Sequence, residues 1–267
     1  MRQLAVIGAD SYIRWADLPG TGHRVRVFLH GLGASSTFDY AEIALHPALR
    51  ATGHRSLLVD LLGFGYSDRP REFGYTLEEH ADAVAAVLDA EGVRGAEIVG
   101  HSMGGTVALA LAGRRPELVG ALTLAEANLR PGGGAWSSKI AAWPEDEFLA
   151  QGMAAFTADE SDPGYLATLR ACAPHALHRS ATGLVRGTAT APGQLFTAYD
   201  GPKAYLIGEL SRPYEEEDDA VAAGARILTV PSAGHTMPGE NPDGFARAVA
   251  EASSATAGPF SPGSPRS

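Results

Sequence analysis

Short apolar runs that end at glycine-rich corners alternate along this chain with stretches of helical periodicity. Val25-Arg26-Val27-Phe28-Leu29 reads as a strand closing at His30-Gly31, and Ser56-Leu57-Leu58-Val59-Asp60 as a second, leading into Gly63 and Gly65. Between them, Tyr40 to Arg50 has helical character. Thr76-Leu77-Glu78-Glu79 opens a helix that continues to about Ala90. A threonine followed three residues later by glutamate is a capping box, in which the two side chains satisfy amides that the first turn leaves without partners. Leu77, Val84, Val87 and Leu88 then fall near one face. Strand Ala96–Val99, helix Thr106–Arg114 and strand Ala121–Ala125 continue the alternation. Two late strands, Ala204–Gly208 and Arg226–Val230, precede a final helix from Pro242 to about Ala252.

Strands and helices alternating at this spacing predict an α/β domain with a parallel sheet covered on both faces. The segment from Leu129 to about Tyr199 breaks the rhythm. It opens with Pro131-Gly132-Gly133-Gly134 and continues in short helical pieces that carry Trp136, Trp143, Phe148, Phe156 and Tyr165. The expected organisation is a core of residues 1–128 and 200–252, a helical cap of residues 129–199 over the sheet edge, and a Ser/Pro/Gly-rich tail of residues 253–267 that is disordered.

Composition narrows the picture in three ways. With 267 residues, 45% hydrophobic and 19% charged, the chain can bury a substantial core. A formal net charge of −10 argues against nucleic acid or an anionic membrane as the main partner. The single cysteine, Cys172, has no partner for an internal disulfide or a shared metal, which fits a reducing compartment. The N-terminal MRQLAVIGADSYIRW lacks a cleavable signal pattern, and no run approaches the roughly 20 apolar residues of a membrane span. A cytoplasmic protein is expected.

The candidate chemistry sits at two of the corners. Gly100-His101-Ser102-Met103-Gly104 has the form G-x-S-x-G between a strand and a helix, the setting of a nucleophile elbow. Such a turn holds Ser102 out at the end of the sheet, and its glycines let backbone approach backbone. His30-Gly31-Leu32-Gly33 ends an earlier strand, so the amides of Leu32 and Met103 are the expected oxyanion hole. Of nine histidines, His235 stands out. It follows the last strand in Pro231-Ser232-Ala233-Gly234-His235, where a loop can bring an imidazole to Ser102 as general base. His30 and His101 are read as structural, near the site and pointing elsewhere.

His30-Gly31-Leu32-Gly33, Asp60-Leu61-Leu62-Gly63-Phe64-Gly65-Tyr66-Ser67-Asp68-Arg69-Pro70, Gly100–Gly105 and Gly234-His235 stand in the order of the α/β-hydrolase superfamily, which this chain resembles from about residue 10 to 252. The resemblance implies the α/β-hydrolase fold, with a mostly parallel central sheet, helices on both faces and a helical cap. It implies no particular substrate, since the fold hosts many chemistries. The family usually places an aspartate about three residues beyond the glycine of Ala204–Gly208. Here Ser211 occupies that place, and a serine supplies no charge. Glu126, closing the apolar run Ala121–Ala125 one strand from the nucleophile, is the expected acid, with Glu209 the alternative. Some members of the superfamily, haloalkane dehalogenases among them, place their acid similarly. Serine, histidine and carboxylate together point to acyl transfer: hydrolysis of a small or medium apolar carboxylic ester or lactone through an acyl-enzyme. Trp136, Trp143, Phe148 and Phe156 are candidate pocket-lining residues. No cofactor is implied, and the sequence has no metal-ligand spacing. Two other readings stay open: C–C bond hydrolysis or cyanohydrin lysis on the same scaffold, and a non-enzymatic ligand receptor that retains the triad.

Overall fold

The structure is a computed structural model and describes residues 1–254. Eight strands form one sheet: β1 (Arg2–Ile7), β2 (Ser11–Leu18), β3 (Val25–Leu29), β4 (Arg55–Asp60), β5 (Ala96–His101), β6 (Val119–Ala125), β7 (Lys203–Gly208) and β8 (Arg226–Val230). Their spatial order is β1-β2-β4-β3-β5-β6-β7-β8. The strands from β4 to β8 along that order are parallel, and the hairpin β1–β2 pairs antiparallel to β4. This is the α/β-hydrolase fold. The hairpin adds two strands to those expected from the sequence; on β2, Ile13 and Trp15 are buried and the residues on either side of each are only partly so.

Because side chains alternate across a strand, each central strand feeds two cores. Val27, Leu29, Leu57, Val59, Ile98, Leu122 and Leu124 pack with helices Leu77–Ala90 and Met103–Arg114. Phe28, Leu58, Val99, Ala125 and Leu206 pack on the other face with Ile43, Leu49, Phe245 and Val249. Burial on both faces is why these strands are apolar at nearly every position.

The capping box forms as expected. The Glu79 amide donates to Thr76 Oγ1 (3.2 Å), and the Thr76 amide donates to Glu79 Oε2 (3.0 Å). The helix expected over Tyr40–Arg50 is divided into Ala41–Leu45 and Pro47–Arg50. Its break is at His46, whose extended backbone (ψ 137°) is what a following proline demands. The helix after Ser102 starts three residues earlier than expected, at Met103. The final helix runs to Ser254, so residues 253 and 254 belong to it, and the rest of the expected tail lies outside the described residues.

Between β6 and β7 the chain is helical: Ala135–Ala141, a run of turns over residues 145–158, Pro163–Ala171, Pro174–Arg186 and Pro192–Ala198. These helices rest on the loops that follow β3 and β4. The Ala173 amide donates to Gly63 C=O (3.1 Å), and Leu169 and Leu177 lie against Gly33.

Candidate active site

Ser102 follows the carboxyl end of β5 and precedes the helix Met103–Arg114, with φ 50° and ψ −121°. That is a region which residues with a Cβ rarely occupy, and the surrounding backbone enforces it. Its amide donates to Ala125 C=O (2.9 Å), which ties the turn to β6. At Gly104 a Cβ would lie 2.3 Å from the Leu29 carbonyl oxygen, so only glycine permits the approach of the helix to β3.

Two amides at this corner have no partner. Among the described residues, neither the Leu32 nor the Met103 N–H donates a hydrogen bond within the protein. Met103 is the first residue of its helix, where amides have no intrahelical acceptor and the helix dipole favours negative charge. The direction of the Leu32 amide follows from its peptide plane. The Gly31 carbonyl oxygen accepts from the Ala34 amide (3.2 Å) and from His30 Nδ1 (2.8 Å). In a trans peptide the Leu32 N–H points the opposite way. His30 Nε2 accepts from the Leu61 amide (3.0 Å), so the proton sits on Nδ1. Burial lowers the pKa of this ring, which stays neutral and able to accept.

Glu126 stands one residue past β6 with φ 41° and is almost fully buried. Its Oε1 accepts from the Gly208 amide at the end of β7 (2.9 Å), and its Oε2 is 2.7 Å from His235 Nδ1. Burial raises its pKa, but the hydrogen bonds to His235, to the Ser211 hydroxyl and to the Gly208 amide outweigh it, and the carboxyl lies below its ordinary value. Ser211, where the family pattern has aspartate, thus faces the Glu126 carboxylate. Glu209 is placed elsewhere: its Oε2 accepts from the Ser232 amide (2.8 Å), and it forms no hydrogen bond or ion pair with His235.

With Nδ1 donating to Glu126, a neutral His235 has its Nε2 free to accept a proton. Its loop is held from several sides. Leu210 donates to the Ala233 carbonyl (2.8 Å), Asn241 Nδ2 to that of Pro231 (2.7 Å), and Glu240 takes the Gly234 amide and the Thr236 hydroxyl. His101 contributes as well, against the expectation that it points elsewhere: its Nε2 donates to the His235 carbonyl oxygen at 2.7 Å. Burial first, then the His235 ring beside it, push the His101 pKa down to about 3, so it remains a neutral donor. Among the described residues the Ser102 hydroxyl makes no hydrogen bond, to His235 or to any other group.

The four candidate pocket aromatics fall into two groups. Phe148 is fully buried and, with Trp143, packs on Gly152. Trp136 is 42% exposed and meets Phe156 edge-on, with ring centres 5.1 Å apart. In the acidic run after Tyr214, Glu216 accepts from the Leu129 and Arg130 amides (2.9 and 3.0 Å), where the inserted helices leave the sheet. No hydropathy signal marks that role.

A family model for the alpha/beta hydrolase fold matches residues 27–158. Among curated proteins, a probable lysophospholipase of Arabidopsis thaliana, BODYGUARD 3, is 43% identical over 101 residues, 37% of this chain and 20% of that protein. A 2-hydroxymuconate semialdehyde hydrolase of Pseudomonas sp. (strain CF600) is 41% identical over 98 residues, 37% of this chain and 34% of that protein. The matched stretches therefore span about a fifth to a third of these relatives' lengths. A thermophilic esterase from Thermogutta terrifontis superposes with a TM-score of 0.80 at 20% identity, covering 96% of this chain and 99% of its own. The sheet order, the strained serine at the end of β5 and these matches agree: the chain belongs to the α/β-hydrolase superfamily.

Proposed function

We propose that this protein is a serine hydrolase that cleaves a small or medium apolar carboxylic ester or lactone through an acyl-enzyme. The observation that carries the reading is the 2.7 Å contact between His235 Nδ1 and the buried Glu126 carboxylate, beside the elbow that presents Ser102. In the first half of the reaction, His235 Nε2 takes the Ser102 proton as Oγ adds to the carbonyl carbon. The Leu32 and Met103 amides hold the resulting oxyanion, and Glu126 stabilises the imidazolium and fixes its tautomer. Collapse expels the alkoxide, which leaves as alcohol with the proton from His235. Water, deprotonated by the same nitrogen, then adds to the acyl group, and a second collapse frees the acid and restores Ser102. Seating of the substrate closes the Ser102–His235 hydrogen bond, as apo geometries in such sites are often loose.

A panel of short p-nitrophenyl esters and aliphatic lactones tests this reading, together with labelling by a fluorophosphonate. Turnover and labelling are expected in the natural chain, and both should disappear in Ser102→Ala. A folded protein that neither turns over nor is labelled would refute the reading and leave a ligand receptor. A second reading is favoured by the match to a 2-hydroxymuconate semialdehyde hydrolase: hydrolysis of a C–C bond in a vinylogous diketone by the same residues. Turnover of such diketones, with the esters inert, would select it.

A further inference from the structure

We propose that Tyr165, on the inserted helix Pro163–Ala171, is a positioning residue that sets the oxyanion loop through the Leu32 carbonyl. This inference rests on the serine hydrolase reading above. The Tyr165 hydroxyl donates to the Leu32 carbonyl oxygen at 2.9 Å. Leu32 lies between two peptide planes, and each is anchored separately. The plane before it is held through Gly31 C=O, by His30 Nδ1 and the Ala34 amide. The plane after it, joining Leu32 to Gly33, is held at its carbonyl by Tyr165.

Gly33, at φ 75°, brings no Cβ of its own to fix that second plane, so what restrains it comes from the inserted helices packed on it, Leu169, Leu177 and the Tyr165 hydroxyl. Rotation of the 32–33 peptide would release the Leu32 carbonyl from its present direction. An electronegative oxygen could then face the space where negative charge develops, and the Leu32 amide would shift with it. A preorganised donor is effective because it need not reorient during the reaction, so a loop free to turn forfeits part of that benefit. Tyr165 is suited to preventing it. Its ring lies 6.3 Å from the Trp136 ring in an edge-on arrangement, its backbone amide is fixed by Asp162 Oδ1 (2.6 Å), and Leu169 packs on Gly33 one turn further along the helix. Burial raises the pKa of the Tyr165 hydroxyl, which stays protonated and able to donate.

The test is Tyr165→Phe, which removes one oxygen and keeps the ring, read by the kinetics of fluorophosphonate labelling at Ser102. This reaction uses the nucleophile, the base and the oxyanion donors whatever the natural substrate is. The limiting labelling rate should fall about tenfold, short of the roughly hundredfold or more that loss of an oxyanion donor costs, with the inhibitor's binding constant little changed. Amide hydrogen exchange over residues 32–34 should quicken while the sheet exchanges as before. A side chain that only packs would move neither quantity, so an unchanged rate and unchanged exchange in Tyr165→Phe overturn the proposal. If the natural chain is not labelled, the serine hydrolase reading fails, and the role of Tyr165 fails with it. If the natural chain and Tyr165→Phe are labelled alike, only the role of Tyr165 is lost.

Discussion

Among the described residues, Tyr75, Ser102, Glu126 and Ser232 have positive φ without being glycine, and the last three lie at one end of the sheet, at or beside the candidate site. Such conformations cost on the order of 1–3 kcal/mol each and persist where the surroundings over-determine them. At Glu126 those surroundings are the Gly208 amide, the His235 ring and the Leu206 carbonyl that receives its own amide. Glu126→Gln keeps the shape and the Gly208 contact but loses the charge that supports an imidazolium. It should lower kcat by about two to four orders of magnitude with KM little changed. Glu209→Gln should leave kcat nearly as it was, since that carboxylate holds only the Ser232 amide. Steady-state kinetics on the best ester of the panel compares the two, and the opposite ranking would exclude Glu126. Glu126 was legible because a carboxylate ending an apolar strand is conspicuous and Ser211 stands in the usual acid's place. Tyr165 and Leu32 are 133 positions apart, and nothing in either local pattern announces their hydrogen bond. The same holds for His101, whose neighbours mark the elbow but not the carbonyl it reaches.

Elements whose cause is local were the readable ones. The capping box at Thr76 involves four consecutive residues, and both of its hydrogen bonds form. Thr76→Ala should destabilise the protein by about 1 kcal/mol, measured as the shift in a urea unfolding curve, without altering the labelling rate at Ser102. Strands β3 and β8 fall where the apolar runs placed them, β3 because it is buried at nearly every position and β8 because buried Leu228 and Val230 alternate with exposed Thr229. The β1–β2 hairpin carries no such pattern. As the outer strand of the sheet, β1 keeps half of its residues exposed, so its alternation is weak. The division of the helix at His46 is a third case: the periodicity continues through residues 40–50, and Pro47 overrides it.

For the molecule as a whole, three buried histidines weaken the fold in acid, and Asp39, which burial raises to about 7, offsets part of that effect. Burial pushes His80 and His101 down to about 3, and it lowers His30 as well. In the unfolded chain each titrates near about 6.5. Between these values the unfolded state binds more protons than the native state, so stability falls as pH falls. Each histidine contributes at most about 1.4 kcal/mol per pH unit. Their stabilising contribution is complete above about pH 6.5 and is lost progressively toward pH 3. Urea midpoints should therefore drop between about pH 7 and about pH 4.5, and His80→Gln should flatten that dependence. A midpoint constant over this range would contradict the assignment of these rings as neutral.

At the amino-terminal ends of the central strands, away from the elbow, Arg26 on β3 is paired with Glu97 on β5 in the interior at 2.8 Å. Ser253 on the last helix is fastened to both, accepting from Arg26 Nη2 (2.7 Å) and donating to Glu97 Oε1 (2.6 Å). The carboxyl-terminal end of that helix is thereby anchored on the side of the sheet opposite Ser102. A fluorophore or affinity handle fixed at the exposed Ser254 itself would be attached at that rear end of the sheet, away from the serine.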